Sequence, residues 1–134
     1  MKKIEHIGIA VKDLAVAAKT YQTLLNTAPY KEEQVESEGV TTLFFKTGES
    51  KIELLSATHE NSPIAKFIAK RGEGIHHIAF AVDDIEAEIK RLEENGFQLL
   101  NFTPKAGADN KLIAFLHPKS SNGVLVELCQ EKPI

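Results

Sequence analysis

A chain of 134 residues and 14.8 kDa, 43% hydrophobic and 26% charged, is long enough to bury one packed core and too short for a second full domain. That composition excludes disorder, collagen and coiled coil. With 16 Lys and Arg against 19 Asp and Glu the formal charge is −3, which offers no broad field for a phosphate backbone and excludes nucleic acid as a partner.

The segment Met1-Lys2-Lys3-Ile4-Glu5-His6 lacks the apolar stretch of a signal peptide. No apolar run approaches the roughly 18 residues needed to cross a bilayer, so no membrane association is expected. The single Cys129 has no partner for an internal disulfide, which fits a reducing compartment. A cytoplasmic location is the expectation.

Along the chain, Ile4 to Val11 alternates as a strand, and Leu14, Ala17, Tyr21 and Leu24 then form a helical stripe before Pro29. Further strands are predicted near Tyr30 to Val35, at Val40 to Lys46 and at Lys51 to Ser56. Ser62-Pro63 starts a short helix, with proline at its first position, whose apolar face is Ile64, Phe67 and Ile68. Arg71-Gly72-Glu73-Gly74 ends it.

A strand follows from Ile75 to Val82. Asp83 with Glu86 then reads as a capping box for a helix striped by Ile85, Ile89 and Leu92 and stopped by Gly96. Strands near Gln98 to Phe102, Ile113 to His117 and Val124 to Leu128 complete the pattern.

The second half repeats the first. Ile4-Glu5-His6-Ile7-Gly8-Ile9-Ala10-Val11-Lys12-Asp13-Leu14 overlays Ile75-His76-His77-Ile78-Ala79-Phe80-Ala81-Val82-Asp83-Asp84-Ile85, matching His6 with His77 and Asp13 with Asp84. Lys51-Ile52-Glu53-Leu54-Leu55 overlays Leu125-Val126-Glu127-Leu128-Cys129, matching Glu53 with Glu127. The expected fold is α+β, built of two βαβββ modules. One domain spans 1–134, with module one at about 1–58, a linker helix at about 62–71 and module two at about 74–130.

Taken singly, each glutamate reads as a solvent-facing residue between core neighbours, and each histidine as a structural side chain. Together, two histidines and two glutamates occupy matched places in two copies of one module. On the strand face of His6 lie the small Gly8 and Ala10, and on that of His77 lie Ala79 and Ala81, leaving space around each imidazole. His76 matches Glu5 and points away, as a structural residue would. Two neutral imidazoles and two carboxylates suit one divalent metal of intermediate hardness, with Mg, Mn, Co, Ni and Zn as the choices. Four protein ligands on an octahedral ion leave two positions for a substrate presenting two oxygens, and Lewis-acid catalysis follows.

His6-Ile7-Gly8-Ile9-Ala10-Val11, Ser62-Pro63-Ile64-Ala65-Lys66-Phe67, Gly74-Ile75-His76-His77-Ile78-Ala79, and His117-Pro118-Lys119-Ser120 followed by Gly123-Val124-Leu125-Val126-Glu127-Leu128 resemble the methylmalonyl-CoA epimerase family of the vicinal oxygen chelate superfamily. The resemblance covers nearly the whole chain. It implies paired modules forming a curved open sheet around a central metal site, with the metal on His6, Glu53, His77 and Glu127. It also implies an acyl-CoA substrate, inversion at C2 through an enolate-like intermediate with Glu127 as acid/base, and a homodimer. Some members of the family carry a second acid/base glutamate where this chain has Thr42, a poor base near neutrality.

His59 is expected in a solvated loop and His117 in a turn, while Lys105, Lys111 and Lys119 are either anion contacts or solvated charges. Alternative readings are a glyoxalase-type lyase acting on a glutathione hemithioacetal and a metal-free small-molecule binding protein of the same fold. An iron dioxygenase would need only two histidines and one carboxylate, and the fourth ligand argues against it.

Overall fold

The computed structural model describes residues 1–132. In chain order these form β1 (Lys3–Ala10), α1 (Leu14–Leu25), β2 (Lys31–Val35), β3 (Val40–Thr47), β4 (Ser50–Ala57), α2 (Pro63–Arg71), β5 (Gly74–Ala81), α3 (Ile85–Glu94), β6 (Lys105–Gly107), β7 (Lys111–Leu116) and β8 (Val126–Glu131). They divide into two compact units, one of residues 6–76 and one of residues 1–5 with 77–132. Among the described residues no helix is long and apolar enough to cross a membrane.

Both units are mixed α+β, and the two βαβββ modules expected from the sequence are present. The strand order is β2-β3-β4-β1 in the first and β6-β7-β8-β5 in the second. In each, the strand before the helix runs parallel to the last strand, and the other neighbours are antiparallel.

In the first unit, alternation along β3 sends Leu43 and Phe45 to one face, where they join Val11 and Leu54 beneath Leu14, Ala17 and Tyr21 of α1. Asp13 starts that helix by accepting the Val16 N–H at 3.1 Å, and Asn26, left-handed at φ 54°, ends it. On the other face, Ala10, Val40 and Leu55 pack against Ile64, Phe67 and Ile68 of α2. The helix expected as a linker is thus part of the first unit's core. Ser62 caps it, accepting the Ala65 N–H at 3.1 Å. Gly39 (φ 62°) lies against that cap so closely that a Cβ there would come within 2.7 Å of the Ser62 Cβ.

In the second unit, Ile85, Ile89 and Leu92 of α3 pack on Ala114, Leu116, Val126 and Leu128. Two expectations need correction. The helix is capped by Asp84, whose carboxylate accepts the Ala87 N–H at 3.1 Å, while Asp83 pairs with Lys2 at 3.1 Å. Asp84 is the repeat partner of Asp13, so both helices start at the same step of the repeat.

The strand predicted at Gln98 to Phe102 does not form beyond a bridge between Leu99 and Leu116, and β6 starts instead at Lys105. The backbone of 98–100 does run along β7, with Leu100 N–H donating to the Phe115 carbonyl at 2.8 Å. The Asn101 side chain, however, accepts the Phe115 N–H at 2.9 Å and interrupts the ladder.

The two units differ on the face that α2 covers in the first. The positions matching Ala10, Val40, Leu55 and Ala57 through the strand registers are Ala81, Lys111, Cys129 and Glu131. Together with Lys2, Lys3 and Glu5, these residues line a cavity of about 280 Å³. An apolar patch under a helix in one unit is a charged hollow in the other.

Candidate metal centre

In the parallel pair β1–β4, Gly8 lies opposite Glu53. His6, two residues earlier on β1, therefore shares a face with that carboxylate. His6 Nδ1 and Glu53 Oε2 are 3.0 Å apart, and both side chains are buried. Glycine at position 8 puts no side chain on that face between them. On the other side of Glu53, directly across β3–β4, stands the fully buried Phe44.

The second unit repeats this construction. Ala79, fully buried, lies opposite Glu127 in the parallel pair β5–β8. His77, two residues earlier, places Nε2 at 3.1 Å from Glu127 Oε1. Phe115 stands across β7–β8 from Glu127, and its ring meets that of His77 edge-on with centroids 6.0 Å apart. The hydrogen bonds that end the strands match as well, Val11 N–H to the Leu55 carbonyl and Val82 N–H to the Cys129 carbonyl, each at 2.9 Å.

The structure thus joins His6 to Glu53 and His77 to Glu127. The solvent-facing reading of the glutamates is overturned, since Glu53 is 6% and Glu127 5% exposed. Buried carboxylates are costly unless paired or bound to a metal. Imidazole nitrogen beside carboxylate oxygen, duplicated, is a donor set that fits a divalent ion of intermediate hardness.

His76 is only half-buried and sets its ring edge-on to Phe67, centroids 4.9 Å apart. Thr42 is buried on the Glu53 face, opposite Leu55 on one side and Glu33 on the other. His59 is exposed, and His117 fixes a turn, its Nδ1 accepting the Lys119 N–H at 3.0 Å. Lys105 and Lys119 are exposed, whereas Lys111 is buried and paired with Glu131 at 3.2 Å.

Two buried polar residues escaped the sequence reading. Cys129 Sγ donates to Glu127 Oε2 at 2.8 Å; its spacing of two from Glu127 on a strand was the available signal. Glu5 is buried next to the equally buried His6, which simple alternation does not anticipate, and its repeat partner His76 gave no hint.

Residues 5–115 match the family model of the Glyoxalase/Bleomycin resistance protein/Dioxygenase superfamily. The chain belongs to that superfamily. Within it, the chain is 44% identical over 130 residues to the ethylmalonyl-CoA/methylmalonyl-CoA epimerase of Cereibacter sphaeroides, covering 96% of this chain and 97% of that one. Among solved structures, the methylmalonyl-CoA epimerase of Mycobacterium tuberculosis is similar with a TM-score of 0.92 at 37% identity, covering 97% of this chain and 88% of that one. A variant of the Streptomyces coelicolor methylmalonyl-CoA epimerase in complex with 2-nitronate-propionyl-CoA matches with a TM-score of 0.92 at 34% identity, covering 99% of each chain. These relatives place the chain in the methylmalonyl-CoA epimerase branch of the superfamily.

Proposed function

We propose that this protein is an isomerase that interconverts (R)- and (S)-methylmalonyl-CoA, and that His6, Glu53, His77 and Glu127 together hold one divalent metal drawn from Mg, Mn, Co, Ni and Zn. The observation that carries the reading is the duplicated buried His–Glu pair in a chain similar over nearly its whole length to methylmalonyl-CoA epimerases. The acyl-CoA substrate is supported by the relative that binds 2-nitronate-propionyl-CoA.

When bound, such an ion polarises the thioester carbonyl next to C2 and makes the C2 proton more acidic. Glu127 is the group proposed to remove and return that proton. Phe44 and Phe115, each across a strand pair from a carboxylate, keep bulk water from the carboxylates and strengthen their interactions. Thr42 offers a hydroxyl on the Glu53 face, able to orient substrate or water but too weak a base to take the C2 proton near neutrality. The same reading takes the protein to be a cytoplasmic homodimer, which sedimentation of the purified protein and cell fractionation check.

The deciding experiment follows methylmalonyl-CoA by proton NMR in deuterium oxide, with and without added divalent metal. Deuterium entering C2 together with inversion, both dependent on metal, is the expected result. A substrate that keeps its C2 proton in the presence of metal-loaded protein would sink the proposal.

A further inference from the structure

The two carboxylates of the repeat differ in one respect. Two residues after Glu53 on the same strand face stands Leu55, which packs under α2. At the matched place after Glu127 stands Cys129, and its thiol donates to Glu127 Oε2 at 2.8 Å. The other oxygen, Oε1, lies 3.1 Å from His77 Nε2. Glu127 is therefore held at both oxygens, by the imidazole on one side and by the thiol on the other.

We infer that Cys129 is a positioning residue for Glu127: its thiol fixes the rotation of the carboxylate, so that Oε1 is presented on the His77 side. A glutamate has three side-chain torsions, the last of them broad, and packing alone leaves the carboxylate plane soft. The thiol hydrogen bond to Oε2, with Oε1 set 3.1 Å from the His77 imidazole, removes that freedom. Because both partners are buried, water does not compete for the bond. The role rests on the reading of Glu127 as metal ligand and acid/base.

Packing is the ordinary alternative for a buried cysteine, and the two accounts part on substitution. Cys129 borders the cavity of about 280 Å³, so valine at this position has room to fit, fills the space at least as well as cysteine and donates nothing. Serine is smaller and poorer as a packing group but keeps the donor.

The test measures Co²⁺ affinity of the purified protein by competition with a chelating dye, together with kcat and KM on methylmalonyl-CoA, for the wild type, C129V, C129S and the control L55V. Circular dichroism checks the fold of each, and C129A replaces C129V should the latter not fold. A positioning role predicts that C129V loses about 10- to 100-fold in Co²⁺ affinity, the range seen when the partner of a metal ligand is removed. It also predicts a fall in kcat larger than any rise in KM, recovery of most of both losses in C129S, and no change of affinity in L55V.

Wild-type affinity and kcat in folded C129V, or a larger loss in C129S than in C129V, would overturn the role. The metal readout separates this outcome from failure of the proposed function. A wild type that binds Co²⁺ but leaves methylmalonyl-CoA unchanged, with C129V still weakened, refutes the epimerase reading and upholds the positioning role.

Discussion

Gly8 lies directly opposite Glu53 across a parallel strand pair, on the strand face that the buried carboxylate shares with His6. Ala79 stands in the same relation to Glu127, so a methyl group is compatible with the arrangement, whereas a branched side chain would crowd the face that carboxylate and imidazole share. G8A is therefore expected to bind divalent metal nearly as well as the wild type. G8V should weaken binding by roughly tenfold or more, as losing the orientation of a ligand does. Dye-competition titration of the two folded variants distinguishes them, and equal affinity in both would show that the space beside Glu53 is not what positions it.

The adjacent histidines provide an internal control. His77→Ala removes a buried group 3.1 Å from Glu127 and should abolish both metal binding and epimerisation. His76→Ala removes only a half-buried ring lying against Phe67 and should leave metal binding within about tenfold of wild type, the mild end of what indirect neighbours contribute. Equal loss of metal in two folded variants would contradict the strand alternation that separates them.

Much of this was legible in the amino-acid order because a repeat constrains two segments at once. The repeat aligned Asp13 with Asp84, the two residues that cap the helices, yet the cap of the second helix was assigned from the local pattern of Asp83 with Glu86, one residue too early. The match of the two histidines and the two glutamates singled out the four residues that the structure buries as two His–Glu pairs, a choice neither copy would have justified alone. The repeat was silent where its copies diverge. Asn101 supplies a side-chain acceptor that breaks the expected ladder, and Cys129 replaces an apolar leucine with a donor. Glu5 and His6 are both buried, which an assignment of one buried and one solvent-facing side to the strand does not foresee.

Those caps can be weighed by stability. Asp84→Ala removes the acceptor for the Ala87 N–H and should cost about 1 kcal/mol. Asp83→Ala breaks only an exposed pair with Lys2 and should cost less than about 0.5 kcal/mol. Urea denaturation of both variants gives the comparison. A larger loss for Asp83→Ala would restore the capping-box assignment that the structure displaces.

Thr42 and Glu127 divide the remaining chemistry. Thr42→Val keeps the buried shape and removes the hydroxyl, so turnover should fall far less than in Glu127→Gln, which removes a proposed base. Each variant is to be assayed at saturating metal, with deuterium exchange at C2 followed separately from inversion. If metal-loaded Glu127→Gln retains both processes while Thr42→Val loses them, the proton is carried from the Thr42 side.

Residues 1–5 belong to the same compact unit as 77–132, anchored there by Lys2 N–H donating to the Ala81 carbonyl at 2.9 Å. The seam in the polypeptide and the seam in the fold therefore do not coincide. A half-protein cut at Gly74 would carry the complete sequence repeat yet lack the five residues that complete its own unit, leaving part of the edge of β5 unpaired and open to association with other strands. Anyone seeking a minimal single-module ancestor of this architecture should graft Met1 to Glu5 onto the second half rather than excise that half as written.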